Sequence, residues 1–343
     1  MDNTHRLRRV WWPSVVTAGA FTALCILPIA LSSAGESYWL QFSTRVLLLG
    51  LLALSADLVW GYAGIFTLGH ALLFGAGAYT TGLLATRRRW IELQELLPAS
   101  VAAGGLLAFA IGLFLYAGGR RVGGVYVSLA TLALAYAAER LANGWPALGA
   151  ANGIPGLPLP KLFGYEIDLG IRFYFVAFAA FVLGYVVLRV IARSQFGLAL
   201  IAVRDDEERT EFLGYSRQRI QIVTLVVSGL LAGMAGGLYG LHEGFVSPGF
   251  AGVGLSTQVL LWLVLGGRGR IWGALLGVVI LEVVGRVLQD RYPKLWPVMV
   301  GAALLACITF VPDGIISLPV RRLRGAVKAA LHRSGIAAAG AVH

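Results

Sequence analysis

RSQFGLALIAVRDDEERTEFLGYSRQR, Arg193–Arg219, is a charged island between long apolar runs, and the contrast decides the fold. Ten charged residues fall in these 27 positions, while the sequence on either side is dominated by apolar windows of about 20 residues. That is the length needed to cross a hydrocarbon core of about 30 Å. Across the 343 residues, 58% are hydrophobic and only 13% charged, against roughly 25% charged in soluble domains. A β-barrel would show alternating segments of about 10 residues, and none is visible. The sequence therefore predicts an all-α, polytopic integral membrane protein.

About ten spans are predicted, near 11–31, 41–60, 64–85, 98–117, 124–142, 172–192, 220–241, 256–266, 271–288 and 296–318. Some are broken or half-helices, 256–266 being too short to cross alone. This gives one membrane domain, 11–318, between a cytoplasmic N-terminus, 1–10, and a basic cytoplasmic tail, 319–343. The first apolar run is longer than a signal-peptide core and many spans follow, so an uncleaved first span is expected. With the N-terminus inside, Arg120–Arg121, the island 193–219 and Arg268–Arg270 lie in the cytoplasm. The Pro- and Gly-rich stretch 145–170 becomes an external loop. Arg87, Arg88 and Arg89 then fall outside, against the positive-inside rule. Either 64–85 is re-entrant or that loop is an exception.

The net charge of +11 sits beside the spans, in Arg6, Arg8 and Arg9 and in the tail from Arg321. Membrane phospholipid is its expected partner, not nucleic acid, since no basic groove interleaved with aromatics is present. Cys25 and Cys307 lie in apolar runs and read as packing residues. No metal site or cofactor is expected. A Walker loop needs a Gly-Lys pair, and Lys161, Lys294 and Lys328 follow Pro, Pro and Val, so this chain does not hydrolyse nucleotide itself.

Within the island, Phe196–Ile201 are apolar and suit an interface. Asp205, Asp206, Glu207 and Glu208 suit the first turns of a helix, where negative charge meets the positive dipole end. Gly214 is placed to end that helix as its C′ residue. Phe212, Leu213 and Tyr215 give it a short apolar surface, which points to docking against a partner.

Two Gly-rich segments, Gly61–Tyr79 and Ser247–Gly273, interrupt spans and free backbone groups to meet polar solutes. Thr67, His70, Ser256, Thr257 and Gln258 within them, with Asn152 of the external loop, are the candidates for lining a solute path. Each could equally serve as a helix–helix hydrogen bond. Gly75–Gly77, Gly104–Gly105 and Gly229–Gly237 put small residues at helical spacing for close packing. Among intramembrane carboxylates, Glu282 pairs naturally with Arg286 four residues on. Glu139 and Glu243 lie near span ends, and Asp57 is placed to hold the unwound Gly61–Gly64 backbone.

LVWGYAGIFTLGHALLFGAGAY, GVYVSLATLALAYA, the island and VLGGRGRIWGALLG, in that order between Leu47 and Ile315, resemble the permeases of branched-chain amino-acid and urea importers of the ABC class. Asp57–Tyr62, Glu211–Tyr215, Trp262 and Gly266–Gly269 look closer to the urea branch, as do Pro293–Trp296 and Val311–Ile315. Ala76–Thr80 and Leu132 look equally like the amino-acid branch. Where the family usually carries Gly-Gly-x-(Asn or Asp)-Gly, this chain has Gly149-Ala150-Ala151-Asn152-Gly153. The resemblance implies a bacterial-type plasma membrane location, a second homologous permease, two cytoplasmic ATP-binding subunits and an extracytoplasmic solute-binding protein. It implies that Arg204, Asp205, Asp206, Glu207, Glu208, Glu211, Phe212, Leu213, Gly214 and Tyr215 couple to the ATPase. The solute would be urea, a short amide or a branched-chain amino acid. A standalone channel or ion-coupled carrier is the alternative.

Overall fold

A computed structural model describes Leu24, residues 37–116, Gly118, residues 123–292 and residues 294–310. The predicted span at 11–31, apart from Leu24, and the basic tail lie outside the described residues, as do Arg120 and Arg121.

Eleven helices carry the described chain. They are α1 (Ser37–Asp57), which runs on into a π-helical turn Leu58–Tyr62, α2 (His70–Arg87), α3 (Leu93–Tyr116), α4 (Gly124–Gly144), α5 (Ile171–Arg193), α6 (Gln195–Asp205), α7 (Glu207–Phe212), α8 (Arg217–Glu243), α9 (Val253–Gly266), α10 (Ile271–Arg291) and α11 (Trp296–Phe310). Five spans, over α1 with its π turn, α3, α4, α5 and α8, are long and apolar enough to cross a membrane. Among the described residues, α9 and α10 meet the same length and apolarity only when taken together, bent by 117° at their break, as a broken span or a re-entrant loop.

The helix α1 is buried on every side from Val46 to Val59, as expected of a helix that is apolar all round. At the centre, α8 packs against α2, α3 and α1, while α4 and α5 expose one face. Leu106 and Phe114 on the outer face of α3, Val125 and Leu129 on α4 and Val190 on α5 are more than half exposed, a surface suited to lipid or another subunit.

The seam between α8, α2 and α3 is made of glycine. A Cβ at Gly77 would strike the backbone of Gly233, one at Gly104 the backbone of Gly229, one at Gly233 the carbonyl of Ser100, and one at Gly236 the carbonyl of Phe74. Dispersion between close backbones, not hydrophobic expulsion, drives helix association in lipid. The small residues at helical spacing thus do what the sequence predicts of them.

Two segments depart from helix. The predicted span at 64–85 becomes helical only at His70, and Ala63–Gly69 is unwound. On the other side, Phe245–Val246 pairs antiparallel with Ile154–Pro155 beyond the end of α8, and a 3-10 turn, Pro248–Ala251, leads back into α9. One ion pair also differs from expectation. Glu282 turns to Arg45, at 3.2 Å, instead of Arg286. Arg286 lies over the rings of Phe42 and Tyr38. Burial between α1 and α10 makes the interhelical partner the better one.

Gly233→Ala should lower the thermal stability of the purified protein in detergent, by about 1–3 kcal/mol of overpacking. Gly254→Ala, where a Cβ meets open space, should leave the melting temperature unchanged.

Candidate functional site

The two unwound segments bring the first turns of α2 and α9 together deep in the bundle. They run in opposite directions, α2 toward the end bearing Arg87 and α9 toward the island end at Gly267–Gly269. They touch where the Ser256 hydroxyl accepts the Ala71 N–H at 3.2 Å, and Gly75 leaves room for Ala251.

The unwound backbone has named partners. From α4, Ser128 donates to the Phe66 carbonyl at 3.0 Å and Thr131 accepts the Leu68 N–H at 3.1 Å. Ile65 N–H bonds to Val59 carbonyl at 2.9 Å. At the other crossing segment, Glu139 of α4 accepts the Val253 N–H at 3.3 Å, placing a carboxylate at the N-terminus of α9. Ser128, Thr131 and Glu139 recur at helical spacing, so one face of α4 serves both breaks.

His70, 2% exposed, places Nε2 at 2.9 Å from the Ser55 hydroxyl of α1 and 3.4 Å from that of Ser228 on α8. With Thr67 and Thr131 it lines a small cavity of about 20 Å³ otherwise walled by Leu72, Leu73, Ala108, Ile111 and Leu225. That is room for about one water.

Of the residues expected to line a path, Thr67, His70 and Ser256 meet here. Thr257 bonds back to the Val253 carbonyl of its own helix, and Gln258 is half-buried one residue on. Asn152 is not part of this cluster. It is exposed in a 3-10 turn at the opposite end from the island, between Gly149 and Gly153. The sequence does not single out Ser55, Ser128, Thr131 and Ser228, and it marks Glu139 only as a carboxylate near a span end. The polar stripe Ser128–Thr131–Glu139 on an otherwise apolar helix is the signal that would have found three of them.

The island forms two helices where one was expected. Asp206 is extended (φ −158°, ψ 102°), and its carboxylate accepts the Arg209 N–H at 3.1 Å, so it caps α7 while Asp205 ends α6. Glu207 and Glu208 fill the first turn of α7. Gly214, at φ +86°, ends it in a Schellman motif, with Gly214 N–H on the Glu211 carbonyl and Tyr215 N–H on that of Thr210.

Arg217 at the base of α8, 3% exposed, binds Glu207 at 2.6 Å and Glu211 at 3.4 Å, pinning α7 to the bundle. Phe212 and Leu213 stand 90% and 74% exposed at the tip of this pinned helix, with Tyr215 and Gly214 beside them. Arg204 reaches back from α6, donating to the Gly61 carbonyl at 2.7 Å. Asp57 does not hold the 61–64 backbone as expected. Its Oδ1 accepts the Gly269 N–H at 2.7 Å, and Arg204 serves Gly61 in its place.

A multi-span helical bundle with two half-helices crossing at its core, and a rigid polar element held outside it, has the build of a solute permease. The sequence pattern of the family described as "Branched-chain amino acid transport system / permease component" matches residues 38–308, and the chain belongs to that family. It is 28% identical over 326 residues to the high-affinity branched-chain amino acid transport system permease protein LivM of Escherichia coli K12, covering 88% of this chain and 75% of that one. It is 26% identical over 290 residues to the permease protein BraD of Pseudomonas aeruginosa, covering 78% and 91%. Half of the chain is 31% identical to half of the autoinducer 2 import system permease protein LsrC of Escherichia coli O9:H4. No solved structure matches it. The chain is thus a permease subunit of a branched-chain amino acid type ABC importer, a translocation component of the inner membrane and not an enzyme. That class implies an ATPase and further subunits.

Thr131→Val leaves the Leu68 N–H, and Ser256→Ala the Ala71 N–H, without its side-chain acceptor. Each should destabilise the protein by about 1–3 kcal/mol, read as a lower melting temperature in detergent. Thr257→Val, whose hydroxyl serves only its own helix, should cost less.

Proposed function

We propose that the chain moves a small polar solute into the cytoplasm, driven by ATP hydrolysis on two partner subunits that dock on α6–α7. A second, homologous permease and an extracytoplasmic solute-binding protein complete the transporter, and the island end faces the cytoplasm. The observation that carries this is the exposure of Phe212 and Leu213 on a helix fixed by Arg217. Aromatic and large apolar anchors ringed by polar residues are what binding hot spots are made of, and the surrounding Asp205, Glu208, Arg209 and Glu211 supply that rim.

The names of the relatives LivM and BraD weigh toward a branched-chain amino acid. Urea or a short amide is the second reading, carried by the likeness of Asp57–Tyr62 to the urea branch. The uncharged hydrogen-bonding groups of Thr67, His70, Thr131 and Ser256 suit either solute, with selection left to the binding protein.

Replacing Phe212 and Leu213 together by Asp should leave membrane insertion intact, release the ATPase subunits during purification and lower uptake tenfold or more. Charge reversal at Asp205, Asp206 and Glu208 should separate ATP hydrolysis from uptake. Unaltered ATPase binding and uptake in these variants, or transport by this chain alone in liposomes, would overturn the reading.

A further inference from the structure

At the island end, three parts of the chain converge on Asp57. The residue is fully buried where α1 passes into its π turn. Its Oδ1 accepts the N–H of Gly269, in the sharp turn between α9 and α10. On the same π turn, the Gly61 carbonyl accepts from Arg204 of α6. No side chain fits at Gly61, because a Cβ there would strike Asp57 Oδ1 and the Gly269 nitrogen. The stem of Arg204 fills the space beside Gly64 in the same way.

Stability does not explain why Asp57 holds this joint. Its Oδ2 is buried with no hydrogen-bond partner, and a buried charge with one bond is costly. An asparagine would accept the same Gly269 N–H. What lies on either side of the joint does suggest a purpose. The helix α9 leads from this turn to Ser256, about 15 Å away over the ten residues back from Gly266 at 1.5 Å per residue. Ile65–Gly69 leads from Gly64 to His70. Both routes therefore connect the island end with the crossing of the half-helices.

We propose that Asp57 is a positioning residue for transport: it ties the α9–α10 turn to the Arg204-bearing island, so that displacement of the island reaches both half-helices. This rests on the ATP-driven reading given above. Asp57 acts through Gly269 directly and through Arg204 by way of the Gly61 carbonyl on its own π turn.

The test uses the complete transporter in proteoliposomes, with radiolabelled leucine and, as a second probe, urea, measuring uptake and ATP hydrolysis in the same sample. Asp57→Ala should keep hydrolysis within about twofold while uptake falls about tenfold or more, so that solute moved per ATP collapses. Asp57→Asn, which retains an oxygen for Gly269, should recover uptake to within about threefold. Should Asp57→Ala fail to assemble, Asp57→Ser, whose shorter side chain withdraws the acceptor from Gly269, should show the same split. Parallel loss of uptake and hydrolysis in all three variants, or no loss in any, overturns the proposal. The Phe212 and Leu213 pair reports separately on docking. If that pair abolishes uptake while Asp57→Ala keeps its ratio of solute to ATP, only the Asp57 joint falls; if the pair changes nothing, the ATP-driven reading falls with it.

Discussion

A backbone amide or carbonyl inside a membrane has no water to bond with, and an unsatisfied one costs several kcal/mol. Most of this chain meets that constraint by staying helical. Ala63–Gly69 cannot, and much of the surrounding architecture follows from its needs. Ser128 and Thr131 face it from α4, Ser256 meets the first turn that follows it, and Arg204 covers the carbonyl of Gly61 just before it. Remove the break and these polar residues have no reason to sit in apolar helices.

The same constraint links distant parts of the sequence. Bonds that close one interrupted segment come from α4, α6 and α9, which lie 60 to more than 180 residues away. Glu139 adds the second break to the same helix. Local sequence decides that a segment can unwind, and tertiary partners decide that it does.

That division accounts for what could be read in advance. The helical spans, the glycine seam, the Gly214 terminus and the polar character of the island follow from composition and spacing, which are local. His70, Thr67 and Ser256 were legible as polar residues in Gly-rich interruptions, but their meeting was not, because it depends on α9 entering from the opposite side. Asp57 was rightly singled out and given the wrong partner, since Gly269 is 212 residues away. Glu282 likewise has a good helical neighbour in Arg286 and a better one across the bundle in Arg45. The split at Asp206 was missed because four consecutive acids look alike until one of them takes the cap.

The glycine seam also sets which wall of the cavity is built from packed backbone. Along α2, Gly77 and the carbonyl of Phe74 press directly on α8, and Gly104 ties α3 to the same helix. These three helices form a door frame, with His70 mounted on it. The helix α4 meets this frame at the unwound segment, where Gly69 lies against the Thr131 carbonyl and Ser128 and Thr131 bond Phe66 and Leu68. Backbone packing within the frame therefore sets the depth at which the histidine sits, independently of the side chains that line the cavity.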